Sequence, residues 1–410
     1  MSERYPGGLI RKTAPTVTGP TDGEGGSASG VWKLEDVGYY EEEGGWPKPI
    51  APKSIFGAGE EIVGGFDSDR DPTVLFSSPV QVTSKTNWAK IYGQNSGYAS
   101  FTHKHAIDQN GALWGWGRNL NGEIGNSANI STSSPVQVGA LTTWDYVTST
   151  NQGTYAIKTD GTIWSWGNGE SGSLGHNNIT NYNSPKQIGS DTDWTHISGG
   201  TKFALAVKGG ELYVWGKNHN GQLGINNRLN VSSPTQVGAL TTWLTTVAGY
   251  YHSFAIKTDG TLWAWGSNHM GALGTNEVHT LRRSSPVQVG ALTTWLKGDA
   301  SYGSAVFIKT DKTLWSWGNQ GSFAGGLEVT TSRSSPVQVG SETWNAVNRG
   351  YNTMAVIRYD GTLWTCGSNS KGATMRNNSA GATATLTQVG SDNTWLDLTG
   401  GGYSQIALKK

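Results

Sequence analysis

The chain has little of what most folds use to hold themselves together or to act. Among its 410 residues there is one cysteine, Cys366, so an internal disulfide framework is excluded. Its 30 basic side chains are balanced by 30 acidic ones, and a polyanion binder needs a basic footprint. Hydrophobic residues make up 35%, below the globular average. No apolar run approaches the roughly 18 residues of a membrane span, and Met1-Ser2-Glu3-Arg4-Tyr5-Pro6 lacks the apolar core of a signal peptide. What stands in excess is 59 glycines and 19 tryptophans. Large rings bury much area each, and glycines let tight turns bring them together.

Self-similarity orders these residues. Ser-Ser-Pro-Val-Gln-Val recurs around Pro79, Pro135, Pro286 and Pro336, with variants at Pro185 and Pro234 and a degenerate copy at Leu386 to Gly390. A tryptophan follows each: Trp88, Trp144, Trp194, Trp243, Trp295, Trp344 and Trp395, at spacings of 56, 50, 49, 52, 49 and 51 residues. Within a unit, Trp243 to Val247, Ser253 to Lys257 and Thr261 to Trp265 read as strands, and a further short strand ends at Val237. Asp259-Gly260 between two of them predicts a type I′ hairpin turn, repeated at Asp160-Gly161 and Asp360-Gly361 with variants Asn110-Gly111 and Gly209-Gly210. Asp311-Lys312 breaks the rule and predicts a strained or longer turn. Four antiparallel strands per unit, repeated in tandem, predict an all-β propeller.

The last unit stops at Ile406 to Lys410, its third strand, while Ile55-Phe56-Gly57-Ala58-Gly59 matches the missing fourth, Leu262 to Gly266. Six complete units and one split unit make seven four-stranded blades, closed by an N-terminal strand beside C-terminal ones. The domains are then an arm, 1–53, and a propeller, 54–410. Leu262 to Gly274, Leu-Trp-x-Trp-Gly-x-Asn-x-x-Gly-x-Leu-Gly, resembles the repeat of the regulator of chromosome condensation family. That resemblance, over 54–410, implies a seven-bladed propeller. Nucleotide exchange on a small GTPase, the founding activity there, relies on a basic tail and a wedge-like insertion. Residues 1–53 instead carry six Lys/Arg against eight Asp/Glu, and the units leave no room for a large wedge.

The arm predicts an extended, unpacked stretch through Pro6, Gly7, Gly8, Pro15, Gly19 and Pro20, then a short helix over Lys33 to Glu43. Tyr5-Pro6-Gly7-Gly8-Leu9-Ile10, Ser29 to Leu34 and Gly45-Trp46-Pro47 resemble the start of virion proteins of tailed phages, especially marine ones. The resemblance implies an anchor, with Tyr5, Trp32, Leu34, Val37, Tyr40 and Trp46 as its contacts.

Chemical motifs are few. Seventeen tryptophans fall at repeat positions and read as packing between blades. Val214 and Cys366 are read at the second-tryptophan slot of two units, and Cys366 as a small buried hydrophobe. His103 and His105 lie two apart on a strand, but no third ligand is assigned, so no metal or other cofactor is expected. Asp67-Ser68-Asp69-Arg70-Asp71 opens like a calcium loop, yet Pro72 and Ser78 replace the required Gly and Glu. No nucleophile elbow or phosphate loop appears. The segments after each Trp-Gly vary most, and there Leu120, His269, Met270 and Phe323 are the candidate surface contacts. The expectation is a non-enzymatic virion structural protein. Its arm would bind capsid or tail proteins, and its propeller would serve as a decoration, fibre or host-contact module facing a receptor or glycan. It would bind no nucleic acid and insert in no membrane. The alternatives are a cytoplasmic regulatory propeller, for example toward a small GTPase, and a glycan-binding module.

Overall fold

The computed structural model describes residues 3–5, 8–10, 52–59, 76–93, 103–277, 280–321, 324–369, 371–376, 381–401 and 404–410. The chain divides into two units, Met1–Pro52 and Lys53–Lys410. In the first, Glu3–Tyr5 pairs antiparallel with Gly8–Ile10, Tyr5 opposite Gly8. Gly8, expected in an unpacked stretch, is thus paired, while Pro6, Gly7, Pro15, Gly19 and Pro20 lie outside the described residues. The expected helix over Lys33 to Glu43 lies outside the described residues, as does the Asp67, Asp69, Asp71 loop.

The second unit is seven four-stranded antiparallel blades. Blade 4 pairs Trp243–Ala248, His252–Lys257, Leu262–Ser267 and Arg282–Gln288 in that order. Blades 1, 2, 3, 5 and 6 repeat it from Trp88, Trp144, Trp194, Trp295 and Trp344. Blade 7 is split: Trp395–Gly401 and Ser404–Lys409 come from the C-terminal end, Ser54–Gly59 and Phe76–Gln81 from the N-terminal one. Ile55 stands opposite Leu408 and Gly57 opposite Ile406, so each end of the unit completes the other's sheet.

The hairpin at Asp259-Gly260 has another geometry than the one expected. The Gly260 N–H donates to the Lys257 carbonyl at 2.9 Å and the Lys257 N–H to the Thr261 carbonyl at 3.0 Å. Gly260 alone has positive φ, +75°, so this is a type I turn closed by a glycine bulge. Only at Gly209-Gly210, with φ of +55° and +81°, do both central residues take the left-handed region, as a type I′ turn requires. Lys312 keeps the three-residue form, donating to the Lys309 carbonyl at 2.9 Å, at a φ of +68° that disfavours a side chain.

Between blades, the second tryptophan of one sheet seats on a glycine of the sheet before it. A Cβ on Gly125 would lie 2.6 Å from Trp166 Nε1, one on Gly224 2.8 Å from Trp265 Nε1 and one on Gly274 2.7 Å from Trp317 Nε1. The indole N–H of each donates to a carbonyl of the same preceding loop: Trp166 to Glu123 at 2.9 Å, Trp265 to Gln222 at 2.8 Å, Trp317 to Ala272 at 2.9 Å. Tyr213 fills the first-tryptophan place of blade 3 and Trp215 the second, so Val214 corresponds to Ala264 and not to a tryptophan. Cys366 does occupy the second-tryptophan place of blade 6, fully buried.

The joint between blades 6 and 7 reverses the pattern. Ala58 stands where the tryptophan would be, and Met375 stands where the glycine would be, buried in the same cluster at a φ of +57°. The methionine fills the volume the indole leaves.

Three expectations follow, all read by denaturant unfolding. Met375→Gly should cost about 2 kcal/mol through the cavity it opens. Ala58→Trp, which clashes with Met375 in the parent, should be tolerated in that variant, the pair recovering about 1 kcal/mol or more against the sum of the single changes. Lys312→Gly should stabilise by about 1 kcal/mol, by relieving a left-handed residue.

Candidate functional site: the loop face

Strand direction sorts the connections. In each blade the link from first to second strand and the long loop from third to fourth lie at one end, here the loop face. The second-to-third hairpins and the links between blades lie at the other, the turn face.

The turn face is chemically closed. The Asp259 carboxylate accepts the Thr261 N–H at 2.9 Å and its O–H at 2.7 Å, and Thr261 Oγ1 accepts the Trp263 indole N–H at 3.0 Å. Lys257 Nζ lies 3.9 Å from the Trp263 ring centre and 5.0 Å from that of Trp243, a cation–π clasp. Asp160, Asp311 and Asp360 repeat the carboxylate–threonine contact. Lys208, Arg358 and Lys409 lie over rings of their own blades and are also paired with Asp191, Glu342 and Asp392.

The loop face is built on buried asparagines. Asn119, Asn218, Asn268 and Asn369 accept the backbone N–H of Ile124, Leu223, Leu273 and Thr374 at 2.9, 3.0, 3.1 and 3.1 Å. These asparagines brace their loops from within and do not present their amides outward. Leu120 is exposed in the blade 1 loop, 56% accessible. His269 is exposed in the blade 4 loop, and Met270 beside it is half-buried at a φ of +58°. Leu120 borders a small cavity with Asn121 and Tyr182, and His269 borders another with Tyr302, so the fold does not gather the two into one site. Phe323 lies outside the described residues. So do Trp32, Leu34, Val37, Tyr40, Trp46 and the side chain of Tyr5.

What the fold does gather is an arc of tyrosines. The Tyr250 and Tyr251 ring centres lie 4.2 Å apart, Tyr250 and Tyr302 5.3 Å, Tyr302 and Tyr351 5.4 Å, and Tyr302 and His269 6.2 Å. All four tyrosines are half-buried. They come from the first-to-second strand links of blades 4, 5 and 6. Blades 2 and 3 hold buried Asn151 and Thr201 at the place of Tyr250, so the propeller does not need a tyrosine there. The signal was present in the sequence as Gly-Tyr-Tyr-His, Ser-Tyr-Gly-Ser and Gly-Tyr-Asn-Thr before the second strand of three successive units. A larger groove of about 760 Å³ on blades 3 and 4 is walled by Ile225, Val231, Leu240, Trp243 and Trp263, with no charged side chain.

A polar belt links the inner strands. Lys90 pairs with Asp145 at 2.6 Å, Tyr92 and Tyr146 rings lie 5.3 Å apart, and His196 is held between Thr246 Oγ1 at 3.0 Å and Thr245 Oγ1 at 3.1 Å. Farther round, Asp299 accepts the Asn348 side-chain N–H at 2.9 Å and the Arg349 backbone N–H at 2.6 Å. Burial pushes the Asp299 carboxyl up to about 7 despite these donors. Burial likewise pushes His105, His196 and His252 down to about 4. His103 is lowered well below 6.5 by burial and by His105 and Lys104. These histidines are packing groups: His105 Nδ1 meets Ser149 Oγ at 3.2 Å and His103 Nε2 meets Thr154 Oγ1 at 2.9 Å, both on blade 2.

Unfolded imidazoles titrate near 6.5, so from about pH 6.5 down to 4 the unfolded chain binds protons that the fold refuses. Stability is present above that window and lost through it. Asp299 acts in the opposite sense between its unfolded value and about 7, where the fold holds the proton. The histidines outnumber it. Thermal unfolding should therefore occur at a lower temperature at pH 5 than at pH 7.5.

Comparison with known proteins agrees with the repeat. The model described as regulator of chromosome condensation (RCC1) repeat matches residues 160–207 and 209–256, and a second model of that description matches 245–272. No curated protein matches the sequence. Among solved structures, Prp20p from Saccharomyces cerevisiae, described with its binding to Gsp1p and histones, is 17% identical at a TM-score of 0.75, covering 88% of this chain and 92% of its own. Human WBSCR16 is 15% identical at 0.73, covering 87% and 99%. At these identities the likeness is one of fold.

Proposed function

We propose that the chain is a non-catalytic propeller that binds a protein partner through its loop face. The observation that carries this reading is the arc of Tyr250, Tyr251, Tyr302 and Tyr351, placed on one face where the repeat itself requires no aromatic. Half-buried tyrosines joined ring to ring are rigid, amphipathic and cheap to order, which is why such residues dominate binding energy at interfaces. The turn face, by contrast, spends its cations and carboxylates on its own hairpins. The fold neighbour Prp20p binds other proteins, which supports a partner of that kind, and a regulatory role is the reading nearest to it. Fold alone does not select a partner.

A second reading rests on a separate observation. Tyr5-Pro6-Gly7-Gly8-Leu9-Ile10 and the motifs after it resemble the anchor segment of phage virion proteins, which would make the arm a tether and the propeller a displayed module. The two readings meet in one plan: a binding face carried by whatever holds the arm.

The test is capture from the native source by the immobilised full chain and by a Tyr250→Ala, Tyr302→Ala, Tyr351→Ala variant. The variant should keep its unfolding midpoint within a few degrees and retain the partner at least tenfold less. Equal retention would remove the loop face from the reading. Deleting 1–52 should leave such capture intact and abolish assembly onto a particle; assembly without the arm would end the second reading.

A further inference from the structure

The partner's chemistry is written beside the tyrosines. A cavity of about 250 Å³ opens at the blade 4 end of the arc, lined by Asn220, Tyr250, Tyr251, Ser267, His269 and Tyr302. That is below the size of a drug-like pocket, so it takes one side chain or one comparable group. Arg282, the first residue of the outer strand of blade 4, also lines it, exposed and with no ion pair among the described residues. Lys217, just after the third strand of blade 3, lies 5.8 Å from the Tyr251 ring centre and likewise has no carboxylate partner among the described residues. Among the described residues no carboxylate lines the cavity.

The surroundings extend the sign. On the described loop face of blades 3 to 5 the carboxylates are Glu277, closed on Arg283, and Glu328 in the blade 5 loop. Arg228 adds a further cation in the blade 3 loop. The opposite face carries Asp160, Asp259, Asp311 and Asp360 on its hairpins, with Asp191, Glu342 and Asp392 on the links. A chain with no net charge therefore has a basic sector on the described loop face of blades 3 to 5, while the carboxylates of the other face stand beside Lys158, Lys208, Lys257, Lys309, Arg358 and Lys409. Neutral composition conceals this sector, because the hairpins of the opposite face balance their aspartates with lysine or arginine two residues before.

We infer that this sector docks an acidic segment of a protein partner, one carboxylate entering the cavity beside Arg282, with Lys217 near the Tyr251 ring as a second cation, while neighbouring side chains lie on the tyrosine rings. Charge complementarity selects this occupant. Unpaired Arg and Lys around a small polar cavity recognise a carboxylate, and the half-buried rings beside it supply the apolar contact that fixes a peptide. The inference rests on the protein-partner reading and names the sign of that partner.

The experiment titrates the full chain against a fluorescein-labelled octaglutamate peptide at low ionic strength, followed by anisotropy, with octalysine and oligogalacturonate as comparisons. Octaglutamate should bind, weaken with added salt, and lose at least tenfold in affinity in Lys217→Ala, Arg282→Ala. Both side chains are surface groups, so the unfolding midpoint should hold. Lys90→Ala in the inner-strand belt, already paired with Asp145, should leave binding unchanged. Octaglutamate binding no tighter than octalysine, or unaltered by the double variant, would overturn the inference. If the tyrosine variant still lost its captured partner, the protein-binding reading would stand without it. Oligogalacturonate binding in place of octaglutamate would overturn both in favour of a sugar site.

Discussion

An indole seated on a bare backbone carries the ring. Trp166, Trp265 and Trp317 each approach a left-handed glycine of the blade before so closely that a Cβ could not be accommodated, and each donates its N–H to the same loop. The contact couples two scarce properties, a large flat apolar surface and a backbone without a side chain. It explains why a chain with few aliphatic residues still packs: the area a conventional core would draw from leucine and valine comes from the tryptophans. It also fixes blade spacing, since the indole edge and the glycine loop meet in one register only.

Because packing is settled between the sheets, the two ends of the blades are free to differ. One end is consumed by the hairpin, where aspartate, threonine, tryptophan and lysine satisfy one another. The other is braced by buried asparagines and varies outside them. Function is therefore sought where a blade departs from its siblings without a packing reason, and Tyr250, Tyr302 and Tyr351 depart in three consecutive blades while Asn151 and Thr201 show the plain alternative.

Much of the fold was legible because tandem copies check one another. The seven tryptophan-led strands, the Asp-Gly hairpins and the split blade could be placed by alignment of the chain with itself. The turn type could not: Asp-Gly is compatible with two hairpin geometries, and the choice depends on whether the residue before aspartate enters the loop. Val214 was misplaced because Tyr213 substitutes for tryptophan in the slot before it. The site was less legible. Leu120 and His269 were singled out by local apolarity or loop position, yet they belong to different blades. The tyrosines sit in short links that periodicity passes over, and their proximity exists only once the blades stand side by side. The sign of the loop face was hidden for a different reason: composition sums over both ends of a sheet, and strand direction separates them.

The exchange of indole for methionine at the last joint sets it apart from the other joints among the described residues. Trp166, Trp215, Trp265 and Trp317 seat on glycines at four of the described boundaries, but Ser54–Gly59, bringing only Ala58, fits a neighbour that offers Met375. The final strand can thus tell the end of the array from its middle. Internal units could be duplicated or lost in descent without disturbing this keyed seam, so the number of blades and the means of closing them are free to evolve separately.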